Sequence, residues 1–355
     1  MTLNKLCRCV FIFSLVAGIN SFALADFKDG AAAASRGDFQ TAYKEWRPLA
    51  ASGNNEAQFN LGALLISGKL GDAEIKNGFR WIEKASAAGN VDASYALGMI
   101  YYTGGNDIKQ DHNKAFKAFE VAAKKGQAAS QFSAGMLLLN GQGMKLDIPA
   151  ALEWLKKAAS QGHVMAQFNL GMLYSNGQSG RVDLPLSLSW FEKSAENGLP
   201  VGQHTVARMY MDGRGTKPDM VGAKKWFLRA ANNNIPEAQY ALGYISYVGL
   251  GESQNFQEAL KWFDKASKNW DRNAQYQLGK MYKDGEGVKA DAMQAYKWLE
   301  LAASGGHEDA HFLRAAVAIK LTPNDRAKAY EMAQEWFDAN HSTPHKHFDM
   351  TPHKH

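Results

Sequence analysis

Cysteine is nearly absent: of 355 residues only Cys7 and Cys9 carry a thiol, and both stand within the first ten positions. The rest of the chain therefore has no disulfide, no thiolate metal ligand and no cysteine nucleophile. An excess of one charge is also missing. Setting Lys5 and Arg8 aside leaves 38 basic against 35 acidic residues, a net charge of +3, too little for a nucleic-acid binder by electrostatics alone. Neither G-x-S-x-G nor S-x-x-K occurs, so the commonest serine nucleophile motifs are excluded. No pair of carboxylates departs from the repeat pattern described below clearly enough to serve as general acid and base. After the first 25 residues no stretch is apolar enough to span a bilayer.

Those first 25 residues read as an export signal. Lys5 and Arg8 make a positive start, an apolar run begins at Val10, and Ala23-Leu24-Ala25 offers small residues at a cleavage point, so that the mature chain begins near Asp26. The run is short and broken by Gly18, Asn20 and Ser21, which argues against a retained anchor. Neither cysteine sits at the cleavage point, so a lipid-anchored form is not indicated. The expected location is the periplasm or the outside of the cell.

What is present in abundance is repetition. "AQFNLG" runs from Ala57 to Gly62 and returns from Ala166 to Gly171. Aligning on the small residue that ends this word gives Gly62, Gly98, Gly135, Gly171, Ala207, Gly243, Gly279 and Ala315, spaced by 36 residues except for one step of 37. The extra residue falls in the loop "TGGNDIKQDHN". Six residues after each anchor stands a glycine, from Gly68 to Gly285, suited to the left-handed turn that ends a helix. Nineteen residues after most anchors stands tryptophan: Trp81, Trp154, Trp190, Trp226, Trp262 and Trp298. These lie in amphipathic stretches such as "PAALEWLKKAASQG", which read as a second helix. A glycine closes that helix at Gly53, Gly89, Gly126, Gly162, Gly198 and Gly306, with Asn234 and Trp270 in the slot of two units. The pattern predicts stacked helical hairpins, with the small anchor allowing close approach and the tryptophan filling the wedge between hairpins.

With "AQFNLGMLYSNGQ" followed by "LSLSWFEKSAENG", the chain resembles the Sel-one-like repeat family, a relative of the tetratricopeptide repeat, over about residues 56 to 307. The resemblance implies an all-α, right-handed α-solenoid of about seven 36-residue helical hairpins. Residues 26–55 and 308–340 are expected to be N- and C-terminal capping hairpins, because terminal units have one unpaired side. It also implies a non-catalytic protein–protein interaction scaffold that works through a concave face, as in envelope organisation or host contact. Cysteine-rich relatives with penicillin-binding or weak β-lactamase activity exist, but a cell-wall or β-lactam-acting hydrolase finds no residues here to stand on.

By analogy with tetratricopeptide repeats, three columns of the first helices face the groove. The column three before the anchor, Phe59, Tyr95, Phe132, Phe168, His204, Tyr240, Tyr276 and Phe312, is nearly uniform and reads mainly as structural. The columns one and four after the anchor change from apolar residues such as Met99, Tyr102 and Met136 to polar and basic ones. In repeats five to seven this yields a candidate surface of His204, Arg208, Tyr240, Tyr244, Tyr247, Tyr276, Lys280 and Lys283, tyrosine-rich and mildly basic, for an extended peptide or an acidic ligand of the envelope or a host. The G-x-G tripeptides at Gly141, Gly213, Gly249 and Gly285 recur between helices and read as loop caps, not phosphate cradles. Arg36-Gly37-Asp38 sits where the first hairpin must turn. Residues 341–355 form a tail rich in histidine and proline, in which T-P-H-K-H occurs twice. His345, His347, His353 and His355 there are candidate ligands for a divalent metal, the basis of a metal-handling alternative, while a flexible polar tail is the plainer reading. No cofactor is expected.

Overall fold

The computed structural model of the chain describes residues 21–71, 74–105 and 108–340, and for 21–26 the backbone alone. Among the described residues all regular structure is helical, apart from one isolated bridge between Gly105 and Ile108 in the loop that carries the extra residue. The chain divides into two compact units, Met1–Val182 and Asp183–His355. The first holds α1 (Ser21–Ser35), α2 (Phe39–Ala51), α3 (Asn55–Ile66), α4 (Ile75–Ala87), α5 (Val91–Thr103), α6 (His112–Lys124), α7 (Ala128–Asn140), α8 (Ile148–Ser160) and α9 (Val164–Asn176). The second holds α10 (Leu184–Glu196), α11 (Pro200–Asp212), α12 (Met220–Asn232), α13 (Pro236–Val248), α14 (Phe256–Lys268), α15 (Arg272–Asp284), α16 (Ala292–Ser304), α17 (Glu308–Ala318) and α18 (Pro323–Asn340). Within each unit every helix up to α17 packs on the next, so the fold is the all-α solenoid of repeated hairpins that the period predicts.

Local chemistry sets where each helix starts and stops. Asp111, Asp147, Asp183, Asp219, Asn255 and Asp291 precede the second helices, and each accepts a hydrogen bond from the backbone N–H three residues on, at 2.9–3.0 Å. This N-cap column satisfies a donor that the helix itself leaves unpaired. The closing glycines lie at positive φ, and the same left-handed turn is made without glycine at two positions only among the described residues, Asn234 (φ 58°) and Trp270 (φ 65°).

The notch inside a hairpin is filled by the residue after the tryptophan, while Trp81, Trp154 and Trp262 pack, as expected, against clusters that include Ala50, Phe119 and Phe227 of the preceding hairpin. Trp81, Trp154, Trp190, Trp226 and Trp262 are half-buried, each with a cation from the next helical turn over its ring: Lys84, Lys157, Lys193, Arg229 and Lys265, at 4.1–4.6 Å from the centroid. The residue after the tryptophan points inward instead. Ile82, Leu155, Phe227, Phe263 and Leu299 are fully buried, as is Phe119 in the unit lacking tryptophan. A methyl group added at Gly243 would lie 2.6 Å from the Phe263 ring, at Gly98 2.4 Å from Phe119, and at Gly279 2.6 Å from Leu299. The anchor is thus a notch, and the side chain of the second helix fills it. Tryptophan is too bulky for that notch, and one residue along the helix turns a side chain by about 100°.

A second column ties successive hairpins. The glutamine of "AQFNLG" is buried at Gln58, Gln131, Gln167, Gln203 and Gln239. In each case its Nε2 donates to the carbonyl eight residues earlier, at the end of the preceding second helix, at 3.0–3.2 Å. The Oε1 atoms of Gln131, Gln203 and Gln239 accept from Gln161, Asn233 and Asn269, at the end of the hairpin's own second helix. One side chain therefore satisfies orphan carbonyls and crosses two helix junctions.

The array ends differently. On α16 the position of the covering cation is Leu301, and Trp298 is buried. Here α18 packs on α16, bringing Trp336 to 5.3 Å from Trp298 and placing Ala333 and Phe337 in the same cluster. Its main contacts are with α16 and with Trp270, which lies 5.5 Å from Trp336 and 5.4 Å from Phe337. Helix α17 packs on α16 through Ala310 and Val317, while Phe312, Ala315 and Ile319 on its other face are exposed.

Replacing Phe263 by alanine empties a notch and is expected to cost about 3–5 kcal/mol in urea unfolding. Trp262→Ala is expected to cost clearly less. Equal losses would show the tryptophan to bear as much of the packing as the notch filler.

Candidate partner-binding surface

All eight candidate residues lie in the second unit, on α11, α13 and α15. The 3.6-residue turn places positions three before, one after and four after the anchor on one face of these helices, beside the notch. How far each side chain stands clear of its neighbours then depends on the packing beneath it.

His204 on α11 is half-buried, its ring 5.8 Å from Phe227. Burial holds its imidazole below the usual range and Arg208 adds to this, against the opposing carboxylate of Glu237. It is therefore neutral at pH 7 and rests on the core. Arg208, one turn on, is exposed. Tyr240 on α13 is half-buried, 5.7 Å from the Phe263 ring, and Tyr244 stacks on it at 6.2 Å with the planes 24° apart. Tyr244 is the most open aromatic of the group, 41 % exposed. Tyr247 turns toward the following hairpin, where its hydroxyl donates to Glu286 Oε2 at 2.7 Å, and burial with that carboxylate pushes the phenol up. On α15, Tyr276 stacks on His307 at 4.2 Å. Lys280 Nζ lies 5.9 Å from the Tyr247 ring and 6.0 Å from the Tyr276 ring. Lys283 pairs with its neighbour Asp284.

The structure thus brings together two groups: the Tyr240–Tyr244 stack, and Lys280 between Tyr247 and Tyr276. His204 and Arg208 stand on the preceding first helix, and Lys283 is neutralised locally. The mildly basic character expected from the sequence is offset by carboxylates that the column reading passed over. Asp271 caps α15, accepting from the Ala274 N–H at 2.7 Å. Burial pushes its carboxyl up to about 6, with Glu237 adding, against the N–H groups of Ala274 and Asn273 and the Arg272 guanidinium. Its charge also acts on Tyr240. A signal was present in the sequence: Asn54 and Asn90 hold the same cap in earlier hairpins with a neutral side chain, so an acid there is a departure. The surface is aromatic with charges of both signs, a chemistry suited to holding a polypeptide.

Residues 1–20 of the expected leader and the tail histidines His345, His347, His353 and His355 lie outside the described residues. Among the described residues no group of three or more histidine, aspartate or glutamate side chains is placed to hold a metal. No helix among them is long and apolar enough to cross a membrane.

A stack of helical hairpins with a notch-and-filler core and an aromatic face on its first helices defines a repeat scaffold of the protein–protein interaction kind. Residues 55–90, 91–127, 128–163, 164–199, 200–235, 236–269 and 272–307 match the Sel1 repeat, and the chain belongs to that family. Among solved structures it is similar to a protective antigen present in uropathogenic Escherichia coli strains displaying an SLR fold, with 26% identity and a TM-score of 0.72 over 94% of this chain and 74% of that one. It is similar in fold to a Sel1 repeat protein from Oxalobacter formigenes, with 24% identity and a TM-score of 0.67 over 94% of this chain and 99% of that one. No curated protein matches it in sequence.

Asp271 permits a test in which the sign is clear. Its folded value lies above its unfolded one, so its charge burdens the fold above about pH 6, and the burden fades as pH falls from there toward 3.8. Asp271→Asn, which keeps the cap, is expected to raise Tm at pH 7.5 and to lose that advantage progressively as pH falls from about 6 toward 3.8. A lower Tm at pH 7.5 would show the carboxylate to be stabilising.

Proposed function

We propose that the face formed by α11, α13 and α15 holds an extended peptide segment of a protein partner, and that the chain is an exported, non-catalytic scaffold. The observation that carries this reading is the Tyr240–Tyr244 stack beside Lys280, which lies between two further tyrosine rings. Tyrosine offers a large, rigid contact area at little cost in side-chain entropy, and it is enriched where interfaces concentrate their binding energy. Arg208 and Lys280 against Glu237 and Asp271 present both charges along one face. That arrangement matches a peptide with mixed charge better than a purely acidic ligand.

Export is supported by the leader pattern of Lys5, Arg8 and Ala23-Leu24-Ala25, and a partner in the envelope or from a host follows from that location. The similar protein of uropathogenic Escherichia coli is a protective antigen, which favours an exposed or secreted setting for this chain too.

The test is affinity capture from envelope extract, medium and host lysate with the wild-type chain beside the double variant Tyr244→Ala, Lys280→Ala. Loss of two anchors is expected to weaken a captured partner by about tenfold or more, while stability changes by no more than about 0.5 kcal/mol. Undiminished capture of the same partner by the double variant would remove this face from the function.

A further inference from the structure

At Gly62, Gly98, Gly135, Gly243 and Gly279 the small anchor of the first helix makes a notch, and a side chain from the following helix occupies it. On α17 the anchor position is Ala315, and it is exposed. The helix that follows, α18, lies on α16, where Leu301 and Trp298 receive it. As a result α17 is apolar on two faces. Ala310 and Val317 are buried against α16, while Phe312 is 79 % exposed and Ile319 87 %, with Ala315 and Ala316 exposed between them. The spacing i, i+3, i+4, i+7 is that of a helix seam made to meet another helix.

We infer that this seam meets its own copy: two chains associate through an antiparallel pairing of their α17 helices about a two-fold axis. The stripe is self-complementary. Phe312 and Ile319 stand equally far from the midpoint between Ala315 and Ala316. A two-fold there sets Phe312 against Ile319 of the second copy, with alanines at the centre, where small side chains let helices approach closely. Charge gives the same direction. Glu308 and Asp309 occupy the first turn of α17 and Lys320 follows its last. Antiparallel pairing brings the acidic end of each helix beside Lys320 of the other and sets the helix dipoles in opposition. Head-to-tail addition finds no counterpart at the other end of the array: among the described residues α1 and α2 expose no large hydrophobic side chain. Phe312, Ala316 and Ile319 stand three before, one after and four after Ala315, so the seam carries the same columns that form the peptide face on α11, α13 and α15.

Four apolar residues a side make an interface at the low end of the size range, under about 1,200 Å² in total, so the dimer is weak and reversible. Sedimentation equilibrium of the purified protein from low to high micromolar concentration is expected to show the mass rising from one chain toward two. Phe312→Asp and Ile319→Asp are each expected to weaken association by about tenfold or more. Val221→Asp, at a position 82 % exposed on α12, leaves it unchanged. With Cys7 and Cys9 replaced by serine, Ala316→Cys is expected to give a disulfide-linked dimer on mild oxidation, and Val221→Cys to give none. A single-chain mass at every concentration together with no cross-link at Ala316 overturns the inference. So does an association that Phe312→Asp and Ile319→Asp leave intact.

Discussion

The structure depends on a size contrast between two residues about twenty positions apart. Gly243 and Phe263 illustrate it: the absence of one side chain makes room for the other. Neither helix of a hairpin buries its apolar face alone, and the contact repeated along the chain lets a quasi-one-dimensional stack stand without a central core. Because the contact consists of packing, its loss at one hairpin is felt by the two neighbours and fades beyond them. Substitution elsewhere on the helices is correspondingly tolerated. That freedom lets the exposed columns differ from repeat to repeat.

Polar closure is the second constraint. Every hairpin brings four helix ends into the stack, and their carbonyl and N–H groups have to be paired. The glutamine column, the Asp and Asn caps and the left-handed glycines share this task. Where a column changes, the local structure changes with it. With Leu301 in place of a lysine, Trp298 has Lys297 over its ring and meets Trp336 of α18 edge-on, and α17 is left with an open face. Asp271 at the cap of α15 puts a buried carboxylate, pushed up to about 6, near Tyr240.

Much of this was legible in the chain before any coordinates. The period of 36, the glycine turns at Gly141 or Gly213 and the amphipathic second helices depend on local backbone preference and spacing, which a sequence displays directly. That Phe263 fills the notch at Gly243 was not readable, because Trp262 and Phe263 are adjacent and equally apolar. Which of them faces inward is a matter of helix phase, and composition does not reveal phase to within one residue. Of the candidate surface, the identities of Tyr240, Tyr244 and Lys280 were readable. That Tyr247 spends its hydroxyl on Glu286, 39 residues on, was not.

The sequence by itself determined the all-α repeat architecture, the number of matching units and the columns that carry them, since these follow from periodicity and from the φ, ψ freedom of glycine. Only the tertiary structure decided which aromatic fills the notch, where α18 comes to rest and which charges meet at the tyrosine face. Those outcomes depend on contacts between residues far apart in the chain, and their geometry is set when the helices pack.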